Sequence, residues 1–328
     1  MEKKKVIIDS DYGTYYDDAF ALMYAVQNLD KLDILAVNSS YADTKVRARI
    51  AKKLLKVAGH TEIPVYAGIP GSMSGGAYMF GFEGENILTE EDWNDPALAP
   101  DGENADDIII EMVKKYPGEV TIITTGTVTN VAAALMKCPE VATLAKELII
   151  MGGVIVPIVD AKGISRSPVE EYNLNNDTFA TDVVWKSGMN ITLIPIDVTL
   201  KVPLSEEQVE RIHKAENPVA KQIAAIIDVW PEQEYLIYAS VGIPTEHTGL
   251  WLHDPLTIGV AIDRTFIKEA RLHVDAEFAP TVILRDMVIR NDILRTIPKK
   301  MEPNMSVAIG VDNDRFTEEF TKKICQES

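Results

Sequence analysis

The strongest constraint on this chain is a series of short, apolar-rich runs that alternate with helical patterns. Val6-Ile7-Ile8, Leu32 to Asn38, Val120 to Thr124, Leu148 to Met151 and Ile191 to Ile196 are such runs, rich in β-branched residues. A strand apolar at consecutive positions has to be covered on both faces, as in a parallel sheet flanked by helices. Between the runs, Asp17 to Leu29, Thr44 to Ala58, Asn104 to Lys115, Val131 to Met136 and Asp177 to Ser187 read as helices, the second with a basic face. Val307-Ala308-Ile309 and Asp314 to Ile324 repeat the strand-then-helix pattern at the end. No Pro/Gly/Ser-rich linker interrupts the alternation. The expected architecture is one α/β domain over residues 1–328, with a mostly parallel central sheet. Gly71 to Gly102, rich in Gly, Met, Asp and Pro, reads as a long loop near a site.

Charge narrows the partners. The 50 acidic residues outnumber the 32 basic ones, giving a net charge of −18. Such a field repels phosphate backbones and anionic membranes, so neither nucleic acid nor a lipid surface is expected as a partner. It suits a site for a hard cation. Two cysteines, Cys138 and Cys325, are too few and too far apart for a disulfide framework and fit a reducing compartment. No apolar run reaches the roughly 20 residues of a membrane span, and the basic start has no secretory pattern behind it. A cytoplasmic location is the expectation.

In open parallel sheets, ligands bind beyond the carboxyl ends of the strands. Asp9, Asp11, Asp43, Thr127 and Gly152-Gly153 fall at such places. Asp9, Asp11, Asp17 and Asp18 put four carboxylates within ten residues. Helix capping accounts for one or two of them. The full set would repel itself unless protonated or neutralised by a cation, and oxygen-only ligands favour calcium or magnesium. A strand followed by Asp-x-Asp also opens the haloacid-dehalogenase phosphatases. That pattern wants Thr or Val where this chain has Gly13, and it leaves His253 without a role.

His253-Asp254-Pro255-Leu256 follows Trp251-Leu252 and opens a helix, so an imidazole and a carboxylate share one helix start. His60, His213, His247 and His273 have no comparable setting. Gly126 to Asn130 lies between a strand and a helix, where a turn with a cap is expected and a carbonyl can also turn towards a cation. Glu171-Tyr172-Asn173 sits in an irregular stretch, its Glu and Asn spaced to serve one polyol.

Together these segments resemble the inosine-uridine preferring nucleoside hydrolase family. Asp9-Ser10-Asp11 through Asp17-Asp18-Ala19 is similar to its aspartate motif. Gly126 to Asn130 and Met151-Gly152-Gly153 resemble its Gly-Pro-Leu-Thr-Asn and Met-Gly-Gly segments. Glu171-Tyr172-Asn173 and His253 to Leu256 match two further blocks in order. The resemblance implies a ribonucleoside hydrolase with Ca2+ held by Asp11, Asp18, the Thr129 carbonyl and Asp254. It also implies that Asp17, Glu171 and Asn173 grip the ribose, with Asp43 and Asp254 beside the substrate. Asp11 would be the general base towards a calcium-held water and His253 the acid towards the departing base; a histidine of near-neutral pKa suits that task. A homodimer or homotetramer is implied as well. The chain departs from the pattern at Gly13 to Tyr16, a longer and more aromatic loop than the shortest family form. It departs again at Asp43 and Ser165, where Asn is common, and at Glu83, near a frequent His. These changes suggest a non-standard or modified base. Tyr15, Tyr16, Trp230, Tyr235 and Tyr238 are candidates to stack on it, and ordinary packing accounts for each equally well. A non-catalytic nucleoside- or ribose-binding protein stays open as an alternative.

Overall fold

The structure is a computed structural model. It describes residues 2–327 except 14, 78, 80, 86, 156–157, 160–164, 167–170, 241–248, 281–284 and 292–301, and no side chain within 156–170, 233–248 or 276–301. The strands are β1 Lys4–Ser10, β2 Leu32–Ser39, β3 Val65–Ala67, β4 Gly102–Glu103, β5 Val120–Thr124, β6 Glu147–Met151, β7 Ile158–Val159, β8 Ser165–Arg166, β9 Ile191–Ile194, β10 Ile267–Leu272, β11 Val274–Pro280, β12 Arg285–Asn291 and β13 Met305–Val311. The helices are α1 Asp17–Val26, α2 Thr44–Ala58, α3 Glu90–Asn94, α4 Ala105–Lys115, α5 Thr129–Lys137, α6 Val141–Leu144, α7 Thr178–Lys186, α8 Ile196–Thr199, α9 Glu206–Lys214, α10 Pro218–Ser240, α11 His253–Ile262 and α12 Asn313–Cys325.

Nine strands form one sheet in the order β10-β13-β9-β6-β5-β1-β2-β3-β4, and β7-β8 and β11-β12 make two small hairpin sheets. Every neighbour pair in the large sheet is parallel except β10 with β13 at its edge. The expected mostly parallel α/β sheet is therefore present. Its strands show why they read as apolar throughout. Val6 and Ile8 enter the core with α1, α2, α10, α11 and α12, whereas Ile7 enters the other with α4, α5 and α7. Ile123 and Ile149 join the first core, and Ile122, Leu148 and Ile150 the second. Period-two alternation thus serves two apolar layers instead of one apolar and one wet face.

The connections run outward from β1 through β2, β3 and β4, then return to β5 on its other side and proceed to β6 and β9. The direction of winding reverses between β1 and β5. A crevice forms beyond the carboxyl ends of strands at such a reversal. Ser10 and Asp11 leave β1 there, and Thr125 and Gly126 leave β5.

The basic face of α2 has a structural task. Lys52 pairs with Asp101, Lys53 with Asp92 and Lys56 with Asp95, while Arg49 donates to the carbonyls of Asp92 and Asp95. This fixes the far part of the Gly71–Gly102 stretch, which carries α3. Among the described residues, no helix is long and apolar enough to cross a membrane.

Candidate functional site

Strand alternation continues into the Asp-Ser-Asp segment and distributes its side chains. Asp9 shares the parity of Ile7 and turns to the α5 layer, where its Oδ2 accepts from Asn130 Nδ2 at 2.9 Å. Ser10 shares the parity of Ile8 and turns to the α1 layer, where its hydroxyl donates to Asp18. Thr125 Oγ1 in turn donates to Ser10 Oγ at 2.8 Å, joining the ends of β5 and β1. Asp11 lies past the strand. A Cβ added at Gly126 would stand 2.8 Å from Asp11 Oδ1 and 2.7 Å from Ser40 Oγ, so only glycine lets these strand ends close.

Asp17 and Asp18 open α1, which is buried along all ten residues. Asp254 opens α11 and reaches the same point from the far end of the chain. One carboxylate oxygen from each of Asp17, Asp18 and Asp254 lies within 4.8 Å of the others, and all three side chains are buried. Asp11 joins the trio through a hydrogen bond with Asp18. The Asp254 amide donates to Asp17 Oδ2 at 3.4 Å.

Burial and mutual repulsion dominate the electrostatics. Asp18 and Asp254 are driven well above the usual carboxylate range, first by burial and then by their acidic neighbours. Burial also pushes Asp17 up to about 7, and raises Asp11 against the pull of the Arg47 guanidinium. Arg47 is fully buried and donates to the carbonyls of Asp11 and Tyr12. One guanidinium facing four buried carboxylates leaves an excess of negative charge that a divalent cation matches. The all-oxygen donor set fits a hard ion.

Glu171 and Asn173 lie buried beside the carboxyl ends of β5 and β6. The Glu171 carboxylate accepts from the Leu174 amide at 2.9 Å and the Asn175 amide at 3.2 Å; burial still raises it to about 7. Gly152, at φ +154°, permits this approach, since a Cβ there would stand 3.1 Å from Glu171 Oε1. Asn173 Nδ2 donates to the Thr125 carbonyl at 3.0 Å and the Met151 carbonyl at 3.2 Å. With both amide hydrogens engaged, its Oδ1 is the group left to accept from a hydroxyl.

His253 is buried, and its Nδ1 lies 2.7 Å from Thr199 Oγ1. Burial lowers its pKa to about 4, below the near-neutral value expected from sequence. The ring is neutral at pH 7 and offers a hydrogen bond instead of a stored proton.

Other expected site residues are placed differently. Asp43 is exposed and caps α2, accepting from the amides of Lys45 and Val46 at 3.1 Å each; its carboxylate serves the helix. Thr129 is the first residue of α5, at the end of the turn that follows β5. The Thr129 hydroxyl donates to Asp177 Oδ2 at 2.6 Å. Tyr16 and Trp230 are buried, their rings 4.6 Å apart, and Tyr16 donates to the Trp251 carbonyl; they pack the core. Half-buried Tyr15 stands at the rim of that cluster, 4.5 Å from Trp230. The side chains of Ser165, Tyr235 and Tyr238, and all of His247, lie outside the described residues. His60, His213 and His273 pair with Glu62, Asp228 and Asp275 near the surface.

Sequence reasoning missed Arg47 and Asp177. Asp177, fully buried, accepts from the Met73 and Ser74 amides, the Ser74 hydroxyl, Thr129 and its own helix at Ala180. It read as an ordinary helix start, and nothing local distinguishes a cap from a carboxylate that joins three segments.

A buried, oxygen-only acidic site at the reversal point of a parallel sheet defines the class: an α/β protein equipped to hold a hard cation. Sequence comparison makes this specific. The profile of the inosine-uridine preferring nucleoside hydrolases matches residues 6–318, and the chain belongs to that family of enzymes, which hydrolyse the N-glycosidic bond of ribonucleosides. It is 28% identical over 329 residues to a pyrimidine-specific ribonucleoside hydrolase, RihA, of Shewanella sp. (strain MR-4), covering 96% of this chain and 94% of that one. It is 26% identical over 322 residues to a probable uridine nucleosidase 2 of Arabidopsis thaliana, with 95% and 94% covered. Among solved structures, a purine-preferring ribonucleoside hydrolase from Gardnerella vaginalis superposes with a TM-score of 0.78 at 26% identity, covering 98% of each chain. The haloacid-dehalogenase reading is set aside by the match.

Proposed function

We propose that this chain hydrolyses a ribonucleoside to ribose and free base with calcium at Asp17, Asp18 and Asp254, next to Asp11. The observation that carries the reading is the buried carboxylate cluster, gathered from β1, α1 and α11 at the mouth of the sheet. Bound calcium, held by these carboxylates, would act as a Lewis acid and lower the pKa of water at the site.

The chain's own residues supply the rest. Asp11 accepts the proton of the water that attacks the anomeric carbon. Glu171 and the Asn173 Oδ1 accept hydrogen bonds from ribose hydroxyls and hold the ring in place. Departure of the base leaves oxocarbenium-like charge on the sugar, and the surrounding carboxylates stabilise it electrostatically. His253, neutral, donates a hydrogen bond to the leaving base.

The named relatives prefer pyrimidines in one case and purines in another, and the altered positions of this chain leave room for a modified base. The test is therefore a panel of purine, pyrimidine and modified ribonucleosides assayed for released ribose, with and without chelator. Turnover that stops on chelation and returns with calcium supports the reading. Absence of ribose from every nucleoside, or activity indifferent to complete metal removal, rejects it. Asp11→Ala should abolish turnover with an unchanged circular dichroism spectrum.

A further inference from the structure

The His253 ring is held from one side by a residue that the site has not yet used. Thr199 closes α8, the single turn that follows β9, and is fully buried. Its Oγ1 lies 2.7 Å from His253 Nδ1 and 3.3 Å from the Ile196 carbonyl. A hydroxyl has one proton and cannot donate to both.

Distance decides where it goes. Were the ring proton on Nδ1, Oγ1 would accept there and could donate only to the Ile196 carbonyl at 3.3 Å, beyond the usual range of about 2.5–3.0 Å for a hydroxyl donor, and Nδ1 takes no other hydrogen bond among the described residues. The 2.7 Å contact is at the mode for a hydroxyl donor and at the short limit for a ring N–H donor. The hydroxyl therefore donates to Nδ1, and the ring proton sits on Nε2. Nε2 takes no hydrogen bond among the described residues and is absent from the sealed, unpartnered polar atoms, so it lies on the ring's residual open side.

We propose that Thr199 is a positioning residue that fixes His253 as the Nε2–H tautomer and aims that N–H at the departing nucleobase. The aim at the base rests on the hydrolase reading above; the tautomer does not. Without Thr199, nothing holds the proton on Nε2, and a fraction of the rings would face the base with a lone pair, which repels a base developing negative charge.

The tautomer is read directly by 15N NMR of the full-length protein labelled at histidine, with His253→Gln assigning the signal. An unprotonated Nδ1 and a protonated Nε2 at pH 7 are expected; the reverse pattern, or an even mixture, overturns the proposal. Thr199→Val should mix the tautomers and lower kcat on nucleosides several-fold, in proportion to the competent tautomer lost, with KM little changed. It should spare p-nitrophenyl riboside, whose leaving group needs no hydrogen bond, and Thr199→Ser should restore both tautomer and rate. Equal loss on both substrates, or a change in KM alone, would make Thr199 a packing residue and reject the role. If the wild-type protein cleaves no nucleoside, the hydrolase reading fails while the spectrum still decides the tautomer. If the valine variant does not fold, the wild-type spectrum and the serine variant carry the test.

Discussion

At the scale of single residues, the site depends on one missing side chain as much as on those present. Gly126 has an ordinary backbone angle, so its identity is dictated by space, with Asp11 Oδ1, the Asp11 amide and Ser40 Oγ all within 2.9 Å of where a Cβ would stand. Neither the amide nor the strand end can yield cheaply. Gly126→Ala is expected to part β1 from β5 and to displace the Asp11 carboxylate. A shift of about 1 Å in a reacting group costs on the order of 100-fold in rate, and overpacking of this kind costs about 1–3 kcal/mol of stability. Steady-state kinetics below the melting temperature separates the two. A variant with wild-type kcat/KM would show that Asp11 need not sit against Gly126.

At the scale of elements, the long stretch before β4 is held by ions instead of apolar burial. Asp92, buried in α3, accepts from Lys53 Nζ at 2.6 Å and from the Thr89 amide and hydroxyl at 2.8 Å each. Burial acts to raise its pKa, but Lys53 and Thr89 outweigh it and pull the value down to about 2. A folded pKa below the unfolded 3.8 contributes stability that is complete above about pH 5 and lost as pH falls towards 2. The contribution is about 2 kcal/mol at 1.36 kcal/mol per unit. Asp92→Asn should lower stability by that order at pH 7, and the gap to wild type should narrow by about half as denaturant melts are taken from pH 5 to pH 3. A pH-independent gap would assign the loss to packing.

The same region shows what a sequence discloses and what it does not. Helix α2 was legible to the residue, Thr44 to Ala58, because its apolar positions recur at helical spacing between Asp43 and Gly59. Strands β1, β2, β5, β6 and β9 were legible because two-sided burial writes itself as apolar runs. The three-residue β3 is too short to leave a pattern, and β10, half-exposed at the sheet edge, has no apolar run. The aspartate cluster could be read because four carboxylates in ten residues need an explanation. Its exact partition could not: Asp43 as a cap, Asp17 beside Asp18 and Asp254, and Arg47 behind Asp11 follow from how α1, α2 and α11 meet, and their spacing in sequence holds no record of it.

At the scale of the whole molecule, the cluster is a joint between the ends of the chain. Asp11, Asp17 and Asp18 come from the first strand and helix, and Asp254 from α11, more than two hundred residues later. Helices α1 and α11 share one apolar core, and Gly259 lets the Phe316 ring of α12 press against α11. Without a cation, this packing forces like charges together, and folding must either protonate them or bear their repulsion. With the cation, the joint draws the same elements together. Calcium that binds only the folded state adds RT ln(1 + [Ca]/Kd), about 2.7 kcal/mol at a hundredfold excess over Kd. The metal-free protein is therefore expected to melt several degrees below the calcium-loaded one in scanning calorimetry. Asp18→Asn removes one repelling charge and one ligand together. It should raise the melting temperature of the metal-free protein, abolish the response to calcium and stop turnover. Were the variant less stable than wild type in chelator, the carboxylates would be holding the joint by hydrogen bonds, and the cation would serve the reaction alone.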